Sequence, residues 1–127
     1  MAFDWTDDLT LAEELAARAD EASKRSAISR AYYFVFNTAF ERAQSTAGRC
    51  PVMGGEHSWC WNIYMQSPDN ACKQLGIVGD NMKRRRVHAD YKRPTKPKLD
   101  EEVRITLLEA RQFQADLATL PVGFPRP

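Results

Sequence analysis

Residues 24–43, KRSAISRAYYFVFNTAFERA, restrict the fold more than any other stretch of this chain. Read as a helix, they place Ile28, Tyr32, Val35 and Ala39 on one apolar stripe, and Tyr33, Phe36 and Phe40 on a second beside it. A surface helix needs one such stripe; two adjacent stripes belong to a helix that others pack around. The pattern therefore predicts a helix over about 22–46, stopped by Gly48, at the centre of a bundle. Tyr32 and Tyr33 point in different directions, so at least one is expected to pack in the core with its hydroxyl bonded across helices. Asn37, a polar residue on the most apolar helix, needs a partner wherever it is buried.

The rest of the chain supplies partners for that helix. Trp5, Leu9, Ala12, Ala16 and Ala19 mark an amphipathic helix over about 6–20, with Asp7 and Asp8 near its positive end. GRCPVMGGEH, residues 48–57, reads as a loop, followed by a short helix over 58–66. Ser67-Pro68-Asp69 opens a fourth helix, which Gly76 and Gly79 are expected to break or bend and Pro94 and Pro97 to end. The last helix, about 99–120, carries Val103, Leu107, Ala110, Phe113, Leu117 and Leu120 in steps of four and three. Strand signals are nearly absent. The prediction is all-α: an antiparallel, up-and-down bundle of four to five helices forming one domain over 1–120, with a Pro-rich tail over 121–127.

Composition matters mainly for what it excludes. No run approaches ~18 apolar residues, so no membrane span is predicted. The start, MAFDWTDDLTLAEE, is acidic where a secretion signal would be basic and then apolar. Three cysteines make no disulfide framework, and a reducing cytoplasm is the expected location. Cys50, His57, Cys60 and Cys72 match no compact zinc motif, and no phosphate-binding glycine loop, serine-nucleophile elbow or paired metal carboxylates occur, so no metal or cofactor is predicted. The net charge of +1 hides an asymmetry: residues 83–98 carry eight Lys or Arg against Asp90, a local +7 that leaves −6 for the remainder. Such a block either focuses a polyanion or is a solvated helix end.

Two separated stretches, SAISRAYYFVF and RVHADY, resemble the stand-alone bacterial HEPN-domain proteins (the higher eukaryotes and prokaryotes nucleotide-binding domain). The first supplies Ala27, Ser29, Arg30, Ala31, Tyr32, Tyr33 and Phe36; the second supplies Arg86, Ala89, Asp90 and Tyr91. His57, ahead of the third helix, and the closing amphipathic helix also fit. The resemblance implies a HEPN-like bundle that pairs into a homodimer, with RNA as its ligand and a cognate antitoxin or nucleotidyltransferase as a partner. Many relatives are metal-independent endoribonucleases of toxin–antitoxin or phage-defence systems; others bind RNA or serve as scaffolds. Catalytic members carry Arg-x(4–6)-His, and here the matching positions before His88 are Lys83, Met82 and Asn81, while Arg84 stands one residue too near.

The residues themselves allow the chemistry. Arg84, His88 and Tyr91 fall at i, i+4 and i+7, able to present a cation, a proton-transfer group and a hydroxyl to one phosphate. These three are the candidate catalytic residues. Lys83, Arg84, Arg85, Arg86, Lys92 and Arg93 are the candidate nucleic-acid contacts, with Asp90, Arg30, Tyr33 and Asn37 in support. Arg30 either pairs with Asp90 or faces phosphate. Trp59, Trp61 and Tyr64 form more aromatic surface than a short helix usually buries, a second motive for a dimer. Two readings stay open: an RNA-acting enzyme, and a non-catalytic RNA-binding or partner-docking module.

Overall fold

A computed structural model of the chain describes residues 4–51, 53–91 and 96–127, side chains at 96 and 97 excepted. Five helices make up the fold: α1 (Thr6–Ala16), α2 (Glu21–Ala47), α3 (Glu56–Gln66), α4 (Asn70–Tyr91) and α5 (Lys96–Ala118). No strand occurs among the described residues. The protein is an all-α bundle, and none of these helices is long and apolar enough to cross a membrane.

The doubly striped helix is the centre, because α2 touches all four others. Ile28, Tyr32, Val35 and Ala39 are completely buried, and Phe34 adds a third apolar direction that the stripes did not include. Side-chain contacts give the helix directions. Lys24–Asp100 and Arg42–Leu117 run α5 the same way as α2, while Arg25–Ala89 and Arg86–Tyr32 oppose α4 to it. α1 folds back along α2, with Trp5 Nε1 2.7 Å from Glu41. The helices α1, α2, α4 and α5 thus alternate, and the short α3 lies between the middle of α2 and the first half of α4.

Several boundaries differ from the sequence reading for local reasons. α1 stops at Ala16 rather than near 20, because Asp20 caps α2: its carboxylate accepts from the Ser23 N–H at 2.9 Å. Helix α4 runs unbroken through Gly76 and Gly79. Those glycines are there for close approach. A Cβ at Gly76 would lie 2.9 Å from the Met65 backbone nitrogen, and one at Gly79 would overlap the Trp61 ring. Pro97 does not end α4; it sits in the first turn of α5, where a missing N–H costs nothing. Pro94 lies outside the described residues. Trp61 and Tyr64 are buried in the core, so they offer no surface to a second copy. The residues after 120 pack against α2: Arg42 donates to the carbonyls of Leu117, Leu120, Pro121 and Phe124, and Pro125 is buried.

Candidate functional site

A helix turns about 100° per residue, so four consecutive cations on α4 must diverge. Arg84 points outward, 77% exposed, and pairs with Asp80 one turn back at 2.9 Å. Arg85 reaches α5, where it meets Glu109 at 2.7 Å and the buried Thr106 hydroxyl at 3.2 Å. Arg86 turns toward α2 and pairs with Asp90 at 3.0 Å. Arg84, Arg85 and Arg86 thus each have their own carboxylate, so these three charges of the block are compensated within the fold. Lys83 makes no ion pair among the described residues. Lys92 and Arg93 lie outside them.

Arg86 and Asp90 belong to a seam between α2 and α4. The Arg86 guanidinium lies 5.8 Å from the Tyr32 ring centre and 5.5 Å from that of Tyr33. Arg30, from α2, lies 5.3 Å from the same Tyr33 ring, so two helices each bring one guanidinium to one aromatic face or edge. Arg30 is also 3.8 Å from Asp8 of α1, not paired with Asp90. Beside this group opens a groove of about 300 Å³, lined by Arg25, Ser26, Ser29, Arg30 and Asp90. Arg25 crosses it to donate to the Ala89 carbonyl at 2.7 Å. Asn37 spends its amide on the Tyr33 carbonyl of its own helix, at 2.8 Å, so its donor is turned to the backbone.

At the far end of the seam stands His57, in the first turn of α3. Its ring stacks on Phe36 with centres 3.8 Å apart, and its Nδ1 lies 2.6 Å from the Tyr32 hydroxyl. The buried Trp61 Nε1 donates to that same hydroxyl at 3.2 Å. An indole N–H can only donate, so the Tyr32 oxygen accepts from Trp61; His57 Nδ1 is the acceptor within reach of the Tyr32 proton among the described residues, and that arrangement corresponds to the neutral imidazole with hydrogen on Nε2. Burial holds the His57 pKa below its usual value, and the nearby Lys83 and Arg86 charges push it the same way, against a smaller opposing pull from Glu56. Burial also drives the Tyr32 hydroxyl well above the ordinary tyrosine range, so it stays protonated.

The other histidine is arranged differently. His88 turns its Nδ1 toward Glu102 of α5 at 4.0 Å, an ion-pair distance for a protonated ring and too long for a hydrogen bond. Among the described residues neither that nitrogen nor Glu102 Oε2 has a hydrogen-bond partner, although both atoms are buried. Arg84 and Tyr91, the latter 76% exposed, share the outer side of α4 with His88 by helical spacing and, among the described residues, make no contact with the Tyr33 seam or His57. The candidate residues thus form two groups: Arg86, Asp90, Arg30, Tyr33 and Lys83 toward α2 and α3, and Arg84, His88 and Tyr91 outside.

Sequence reasoning passed over Arg25, Ser26, Ser29 and Tyr32 as site residues, and gave His57 no chemical role. A signal was present. Ala22, Ser26, Ser29 and Tyr33 step by four, three and four along α2, a stripe of small or polar side chains between apolar ones. Among the described residues no cluster of three or more His, Cys, Asp or Glu is placed to hold a metal ion. No family model matches the chain, and neither a curated protein nor a solved structure matches it.

Proposed function

We propose that the protein is an RNA-binding helical module of the HEPN type that holds single-stranded RNA along the α2–α4 seam. One observation carries the reading: Tyr33, with guanidinium groups at 5.3 and 5.5 Å from two helices, beside an open polar groove. Unpaired bases stack on aromatic rings, and flanking cations track the phosphates; neither interaction needs a particular sequence. The resemblance in Ser29-Arg30-Ala31-Tyr32-Tyr33 and in Arg86, Ala89 and Asp90 supports RNA as the polyanion. Fluorescence anisotropy with a single-stranded oligonucleotide over a range of salt tests it. Tyr33→Ala should weaken binding by about 1–3 kcal/mol per lost stack, and Arg30→Ala should reduce the salt slope by about 1. Binding by both variants that equals wild type ends the proposal. The same resemblance supports a symmetric dimer, with a cognate antitoxin or nucleotidyltransferase as further partner; sedimentation as a 14.5 kDa species would remove the dimer.

A second reading, metal-independent cleavage of the bound strand, is favoured by His88. With Nδ1 turned to Glu102, the ring leaves Nε2 for the outer side it shares with Arg84 and Tyr91. A carboxylate behind an imidazole orients it and stabilises the protonated ring formed when it takes a proton. Incubation with total RNA in chelator should give fragments with wild-type protein and none with His88→Ala. Intact RNA in both samples leaves the binding module as the function.

A further inference from the structure

We infer that the groove beside Tyr33 is a ribose subsite, in which Ser26, Ser29 and the Asp90 carboxylate read the 2′-hydroxyl of one nucleotide. The inference rests on the RNA-binding reading for the strand, and adds to it the means of telling RNA from DNA.

Charge selects what the groove can hold. Arg25, which crosses it, is already committed: its Nε donates to the Glu21 carboxylate at 2.9 Å and a terminal nitrogen to the Ala89 carbonyl at 2.7 Å. Asp90 places a carboxylate, 30% exposed, among the lining groups. One of its oxygens accepts from Arg86 at 3.0 Å, and the other has no hydrogen-bond partner among the described residues. Arg86 is itself held against the Tyr32 and Tyr33 rings, so the carboxylate has a fixed direction. A carboxylate repels a phosphate and accepts from a neutral donor. Ser26 and Ser29 complete the lining. Elsewhere in these helices hydroxyls turn back to their own backbone: Thr38, Thr46 and Thr106 each donate to the carbonyl four residues earlier, at 2.8, 3.1 and 2.6 Å. Ser26 and Ser29 make no such bond among the described residues, and both line the groove.

A ribose 2′-hydroxyl donates to a carboxylate and accepts from a serine hydroxyl at the same time; a deoxyribose does neither. The volume, about 300 Å³, is at the small end of ligand sites and suits one sugar rather than a run of them. Its position matches the stacking platform. Ser29 precedes Tyr33 by four residues, about 6 Å along α2. Arg30 lines the groove and lies 5.3 Å from the Tyr33 ring centre, with its side chain 41% exposed. A base stacked on Tyr33 thus has a sugar at the serines and a phosphate beside Arg30.

The test compares three single strands of one sequence, bound to the whole chain and followed by fluorescence anisotropy: RNA, DNA, and 2′-O-methyl RNA, which keeps the sugar oxygen but lacks its proton. RNA should bind about tenfold more tightly than DNA, and the methylated strand no better than DNA. In a Ser26→Ala/Ser29→Ala double variant the RNA and DNA affinities should converge to within about twofold. Alanine is the better helix former, so this variant keeps the test independent of folding. Its salt slope should equal that of wild type, because no phosphate contact has been removed. Asp90→Asn should also lower the RNA preference while strengthening binding of both strands, since a negative charge leaves the seam. A damaged fold would weaken both strands together and leave their ratio unchanged. If wild type binds RNA and DNA equally, strand binding stands and the ribose subsite is overturned. A preference for RNA that survives in both variants overturns it as well. If no strand binds, adenosine 5′-monophosphate and its 2′-deoxy counterpart separate the two readings by NMR. Shifts of the Ser26 and Ser29 amides with the ribose form alone keep the subsite and assign it to a free nucleotide, so that the RNA reading fails. Amides unmoved by both nucleotides overturn the subsite.

Discussion

His57 and His88 are the protein's two histidines, and the fold has given them opposite environments. His57 is packed between aromatic rings, its inner nitrogen satisfied by Tyr32, and burial with neighbouring cations disfavours its proton. His88 sits at the α4–α5 contact, its inner nitrogen 4.0 Å from a Glu102 carboxylate oxygen and without a hydrogen-bond partner among the described residues. The same side chain is closed in by rings and a hydroxyl in one place and faces a carboxylate across 4.0 Å in the other. Residue type nominates a histidine for chemistry; the neighbour of its inner nitrogen decides which chemistry is available.

Perturbing the support of one histidine should leave the other untouched, and five measurements probe that independence. The largest effect is expected from Trp61→Ala, which removes a buried ring and a hydrogen bond from behind Tyr32. Denaturant unfolding should show a loss of about 3–5 kcal/mol, with the His88 resonances unmoved. Next comes Gly79→Ala, whose methyl group would overlap the Trp61 ring; about 1–3 kcal/mol should be lost, and no loss would mean that the α3–α4 contact is looser than described. Tyr32→Phe should cost about 1–3 kcal/mol by stranding Trp61 Nε1 and His57 Nδ1, and should shift the His57 ring resonances while those of His88 stay put.

Acid titration of stability gives a subtler contrast. Because the folded pKa of His57 lies below its ordinary 6.5, the unfolded chain binds more protons between the two values. The stabilisation from a neutral His57 is complete above 6.5 and is lost as pH falls to and through the folded value. A His57→Ala variant should flatten the stability curve in that window; an unchanged curve would break the contrast between the histidines. The smallest effect belongs to the other side. His88→Ala, with neither a hydrogen bond nor deep burial to lose, should stay within about 0.5 kcal/mol of wild type near neutral pH.

The central helix was legible because burial on several sides is written into its own periodicity. Helix α5 was legible for the same reason, and Val103, Ala110 and Phe113 are buried as their spacing predicts. Gly76 and Gly79 misled because a glycine looks alike whether it loosens a helix or makes room for a neighbour; only Trp61 and Met65 distinguish the cases. Pro97 misled because a proline that stops one helix and a proline that starts the next are the same residue a few positions apart. Trp61 and Tyr64 read as surplus aromatic surface because nothing in the α3 segment announces the space that α2, α4 and Phe113 provide for them. His57 carried no readable role, since Tyr32, its partner, lies 25 residues away.

The sequence by itself determined a bundle of four to five helical segments, a doubly striped centre and the angles at which the α4 cations leave their helix. Those follow from 3.6-residue periodicity, which is local. Only the tertiary structure decided what each arginine meets: Asp80 for Arg84, Glu109 for Arg85, and Asp90 and two tyrosines for Arg86. A helix fixes the direction of a side chain, but charge is neutralised or kept available by whatever another helix places there. That placement is a property of packing.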